Sequence, residues 1–273
     1  MTTLQIARRS RAGAPGGGRL LAAALTGAAA LAVAAALVAP AALAAAEPPK
    51  QERLEIVDRA IRHHGFDHLP ELEVSLTVSS RSGSFDVVAR PGDLFDYTVI
   101  SELAGKRRVH RHANDLLRVT VDGEEQPLAT EDDRRRARDF VSQRIYFLFL
   151  PHRLNDPSVY KQDLGLERWG QRDLHRVKVT FEPGTSTSAD SEFLFWFDPE
   201  TAELVQFAYS FDDGIRFRRA VDLRRVGGLL VYDQTNDGVD DPDADIDDLD
   251  FESVRDLRRI SEVELRDVVV RPR

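Results

Sequence analysis

Leu54, Val57, Ile61 and His64 recur at helical spacing on one face, predicting an amphipathic helix over 52–64 that Gly65 closes. Beyond it the period drops to two. Leu72, Val74, Leu76 and Val78 share one face of a strand, and further strand-like runs follow at 85–89, 94–100, 107–112 and 116–121. Ser82-Gly83, Pro91-Gly92 and Asp122-Gly123 punctuate them, so an antiparallel meander is the economical reading. Helical spacing returns after Thr130, with acids in the first turn and Ala137, Val141 and Ile145 as the apolar stripe, out to about Leu150 before Pro151. Asp156 as a cap and Pro157 at the first helical position predict a second helical piece ending at Leu164-Gly165. Strands resume at 174–181, through a hairpin at 191–211, and on to a last strand at 263–270. The whole predicts an α+β fold: roughly nine or ten antiparallel strands, an N-terminal helix and a helical insertion.

The hairpin breaks the alternation. Phe193-Leu194-Phe195-Trp196-Phe197 is apolar on both faces, and burying a phenylalanine contributes roughly 1.5–3 kcal/mol, so something must cover each side. Asp198-Pro199-Glu200-Thr201 supplies the turn. Pairing Phe197 with Leu204 in an unbroken ladder would place Leu194 and Trp196 with Val205, Phe207 and Tyr209, and the three phenylalanines with Leu204, Gln206 and Ala208.

FWFDPETAELVQF, the Asp212-Asp213-Gly214 turn and IRFRRAVDL together resemble the central hairpins of the LolA/LolB/LppX-like superfamily of bacterial envelope proteins. With IYFLFLPHRLNDPSVYK and VKVTF added, the pattern is also similar to a family of exported bacterial proteins without an assigned activity. The superfamily resemblance implies a strongly curved, incomplete barrel with helices over its concave face and a cavity between them for acyl chains. On that footing the expected function is non-enzymatic binding of a lipid or other apolar molecule by a monomer. The expected lining is Trp196, Phe207, Tyr209 and Phe217, with Phe147 or Phe149 from the helical insertion. The alternative is a structural or protein-interaction module with a filled core. The acidic loop at 236–252 is foreign to the superfamily pattern.

Charge and composition set the address. Arg8, Arg9, Arg11 and Arg19 precede a charge-free run over 20–38, and Pro40 to Ala46 offers small residues for cleavage after Ala44 or Ala46, so residues 1–46 are expected to be a signal peptide. The alternative is an anchor formed by 20–38, which is mostly alanine and weakly driven into a bilayer. The expected location is periplasmic or secreted, with one domain over 47–273. Without cysteine, neither disulfides nor a lipid-modified thiol is available. The net charge of −9, with no basic stripe, argues against a nucleic-acid partner.

Catalytic patterns are missing: no Gly-x-Ser-x-Gly elbow, no His-Glu-x-x-His, no phosphate loop after a strand, and no motif for a cofactor. His63, His64 and His68 read as structural or solvated, and His110 and His112 as a solvated sheet face among arginines. Asp241, Asp243, Asp245 and Glu252 stand at calcium-loop spacing, but Ile246 occupies the position that needs glycine; a solvated loop is the expectation.

Overall fold

In a computed structural model, the described residues are 53–183, 191–211, 214–239 and 244–273. The signal-peptide expectation and the candidate ligands Asp241 and Asp243 lie outside them. Helix α1 (Glu55–His63) is followed by β1 (Leu72–Ser80), β2 (Gly83–Arg90), β3 (Asp96–Leu103), β4 (Lys106–Ala113), β5 (Leu116–Val121) and the two-residue β6 (Glu124–Glu125). Helix α2 (Glu131–Tyr146) interrupts the strands. Then come β7 (Val159–Trp169), β8 (Arg172–Phe181), β9 (Phe193–Phe197), β10 (Leu204–Phe211), β11 (Gly214–Val226), β12 (Leu229–Val239) and β13 (Arg258–Pro272). All thirteen form one curved, unclosed antiparallel sheet with the helices on its concave face.

The order is β6-β5-β4-β3-β2-β1-β13-β12-β11-β10-β9-β8-β7. Each half is a simple meander, as the turn signals required. The final strand joins them by inserting between β1 and β12, a long-range pairing that local pattern cannot announce.

Two elements differ from expectation. The second helical piece is instead β7, paired with β8 from Val159↔Phe181 to Trp169↔Arg172; tertiary pairing overrides the Asp-Pro start signal. Helix α2 stops at Tyr146, short of Leu150. Leu148, Phe149 and Leu150 are all buried, and three consecutive side chains cannot share one helical stripe, so the chain leaves the helix to seat them. The start of α2 is as expected: Thr130 and Asp133 form a capping box.

His110 and His112 are half-buried rather than on a solvated face. Helix α2 covers that part of the sheet, the His110 ring stacks on Phe140 at 4.0 Å, and His112 meets Phe95 edge-on. Burial, then the charges of Arg144 and Arg108, lower His110 to about 4.

Candidate functional site

The hairpin turn forms as its residues dictate. Asp198 Oδ1 accepts from the Glu200 and Thr201 amides at 3.0 and 2.8 Å. Helix α1 docks on this turn through Arg59, which donates to the Pro199 and Glu200 carbonyls.

Next to the turn the ladder slips. Phe197 pairs with Leu204, but Trp196 pairs with Gln206, so Val205 is a bulge. The Leu204 amide donates to Nε2 of His64 at 3.2 Å, an acceptor delivered by the end of α1. His64 is fully buried, and desolvation, then the neighbouring His63, lower it to about 3, so the imidazole is neutral and free to accept.

One residue of slip exchanges the faces. Phe193 and Phe195 pair with Tyr209 and Phe207, contrary to the unbroken register, while Leu194 and Trp196 pair with Ala208 and Gln206. The aromatic-rich face is therefore that of the phenylalanines, and it meets the helices. Phe147 stacks on Phe207 at 5.8 Å and lies 5.3 Å from Tyr209, while Phe149 meets Phe66 edge-on. Arg218 sits 4.5 Å over Phe147 and donates to the Tyr209 hydroxyl.

Trp196 and Phe217 are on the opposite face, with Trp169. The two tryptophans are 5.0 Å apart, and Phe217 stacks on Trp169 at 6.2 Å. The six residues expected to line one cavity are thus divided by the sheet: Phe147, Phe149, Phe207 and Tyr209 under the helices, Trp196 and Phe217 behind.

The back face is covered by the acidic loop itself. Ile246, Leu249 and Val254 are buried against Trp196, Trp169 and Phe217, with Phe251 and Leu257 packed at the edge, while Asp245, Asp247, Asp248, Asp250 and Glu252 point to solvent. Residues 244–257 are a strap rather than a solvated loop. Counting acids hid the apolar series 246, 249, 251, 254 and 257 between them, which was the available signal. Arg176 holds the Asp247 carbonyl at 2.7 Å and Lys178 its carboxylate at 2.6 Å, and Arg219 holds the Val254 carbonyl at 2.6 Å. Each such hydrogen bond or partly exposed ion pair contributes about 1 kcal/mol, whereas each buried apolar side chain of the strap contributes roughly 1.5–3 kcal/mol; burial is the stronger hold.

Of the calcium candidates, Asp245 accepts from the Asp247 amide and Glu252 pairs with Arg255. Among the described residues no three metal-ligating side chains cluster, and no helix is long and apolar enough to cross a membrane.

Beside the strap lies an open cleft of about 490 Å³. Trp169 and Phe251 form its aromatic wall, Val205, Ala220 and Val221 add apolar surface, and Gln171, Arg172, Gln206 and Arg219 supply the polar groups. The bulge at Val205 is what presents Gln206 there. Below it Asp237, 1% exposed, pairs with both Arg219 and Arg259. The Trp196 indole donates to Glu167 at 2.8 Å.

The model of DUF6503, a family of unknown function, matches residues 49–251. Among solved structures, a LolA superfamily protein, NE2245 from Nitrosomonas europaea, is similar at 11% identity and a TM-score of 0.46, over 80% of this chain and 93% of that one. A DUF1329 family protein from Desulfovibrio piger is similar at 11% identity and 0.42, over 78% and 91%. The Mycobacterium tuberculosis lipoprotein LppX is similar at 15% identity and 0.27, over 57% and 88%. No curated protein matches the chain.

Proposed function

The chain belongs to DUF6503, and from that premise we propose that it is an exported, non-enzymatic binding protein of the cell envelope whose ligand is a lipid or other apolar molecule. The observation that supports this reading is the cleft beside the strap, whose size suits a small ligand and whose walls are aromatic and aliphatic with a few polar groups. The sequence reading placed such a site between sheet and helices. There the aromatic rings of Phe147, Phe193, Phe207 and Tyr209 stack on one another, so we assign the ligand to the back face. Export is supported by the arginine-led apolar run and the small residues at 44 and 46, which precede the family match at residue 49.

The alternative, a structural or interaction module with a filled core, is favoured by the same close packing under the helices. One experiment separates the two. The chain has two tryptophans, and both lie in the back-face cluster, so intrinsic fluorescence reports on this region. Titrating the purified mature protein with laurate and with methyl laurate is expected to give a saturable emission change. Absence of any change, together with no stoichiometric lipid in a solvent extract of the native protein, would leave the module reading.

A further inference from the structure

The cleft carries a chemical preference in its polar groups. Gln206 is 3% exposed, and its side-chain amide nitrogen has no hydrogen-bond partner. A buried donor of this kind is destabilising until an acceptor reaches it. Arg172, at the start of β8, is exposed, and among the described residues its guanidinium makes no ion pair or hydrogen bond. The neighbouring arginines are engaged: Arg219 with Asp237 and the Val254 carbonyl, Arg176 with the Asp247 carbonyl and Glu167. Asp198 lies near enough to feel the charge of Arg172, but its carboxylate is committed to the hairpin turn. In a chain with 46 acidic residues, none of the side chains lining the cleft is acidic, and two are arginines. Two unpartnered donors, one buried and one exposed, a lining without a carboxylate and an aromatic wall describe a receptor for an anion with an apolar body.

We propose that the cleft binds an amphiphile with an anionic head, the head held between the Gln206 amide and the Arg172 guanidinium and the chain laid along Trp169 and Phe251. This rests on the binding function proposed above and names its ligand class. A fatty carboxylate and a phosphate-headed lipid share the required chemistry. Guanidinium donates to either in the same forked manner.

The test is a tryptophan-fluorescence titration of the mature protein and its Arg172→Gln variant with laurate and dodecyl phosphate below their micellar concentrations and methyl laurate below its solubility limit. At least one anion is expected to bind tenfold or more tightly than the neutral ester. Arg172→Gln should reduce that preference to threefold or less, chiefly by weakening the anions; whichever anion binds more tightly identifies the head. Equal affinity for all three would overturn the anionic head while leaving apolar binding intact, and binding of none would overturn the function itself. A preference that survives Arg172→Gln would overturn the assigned residue. Arg172 is exposed and makes no ion pair or hydrogen bond among the described residues, so the urea midpoint of its variant is expected to stay close to that of the wild type. Gln206→Met gives an independent reading: removal of an unpartnered buried amide should raise the urea midpoint while weakening the anions. A lowered midpoint, or unchanged anion affinity, would count against the role of Gln206.

Discussion

Replacing His64 with phenylalanine tests the device that sets the hairpin register. The ring sits among Phe66, His63 and Tyr232, so phenylalanine matches the surroundings; it removes the acceptor for the Leu204 amide together with the buried, unpartnered Nδ1. An unpaired buried N–H costs about 1–3 kcal/mol and loss of the unpartnered ring nitrogen offsets part of it, so at pH 7.5 the variant should be less stable by up to that amount. The pH dependence runs the other way. His64 is lowered to about 3 in the folded protein, against an ordinary value of about 6.5 unfolded, so below pH 6.5 the unfolded chain binds a proton that the folded one refuses. The stability tied to neutral His64 is therefore complete above pH 6.5 and declines by about 1.4 kcal/mol per unit as pH falls towards 3. At pH 4.5 the wild type has lost about 2.7 kcal/mol that the phenylalanine variant keeps, and the deficit of the variant should vanish or invert. His110, His112 and His152 are also lowered by burial, but they titrate in both proteins and cancel in the difference. Urea denaturation of both proteins at pH 7.5 and 4.5 measures the effect. A stability difference that is the same at the two pH values would refute a neutral, buried His64 accepting from Leu204.

Three further outcomes are expected. Asp237→Ala leaves Arg219 and Arg259 without their shared buried partner; both are partly exposed and keep a second partner, so it should cost about 1–3 kcal/mol in urea denaturation, and no measurable cost would show that the pair is solvated. Phe207→Ala removes a fully buried ring from the stack on Phe147 and should cost about 3–5 kcal/mol, while Asp247→Ala, which only unpins the strap from Lys178, should cost about 1 kcal/mol or less and increase acrylamide quenching of the tryptophans. Gly65→Ala would place a β-carbon 2.5 Å from the Gly228 carbonyl oxygen at a backbone φ of +72°, and thermal melts should show a loss well above the ~1 kcal/mol of an unhindered exchange.

The sequence was informative wherever the signal was local. Turn pairs bounded the meander, the spacing of Ala137, Val141 and Ile145 gave α2 its buried stripe, and Asp198 announced its own turn. It misled where a local signal was outvoted. Asp156-Pro157 has the chemistry of a helix start, yet the residues after it gain a ladder of partners on β8. The strap was visible only to a reader who looked between the acids, because nine acidic residues in the stretch 237–252 dominate any average over it.

What the sequence determined by itself was the strand-and-turn punctuation, the two amphipathic helices and the need to cover both faces of Phe193–Phe197, because each depends on residues within a few positions of one another. What covers those faces was decided only in three dimensions. A buried imidazole on α1, 140 residues before Leu204, takes one amide out of the ladder; the resulting bulge turns the phenylalanines to the helices and Trp196 to the strap, and brings Gln206 to the cleft. Side chains on a strand alternate with a period of two, so a single diverted hydrogen bond is enough to exchange the faces, and no pattern within the hairpin can report a partner that arrives from another helix.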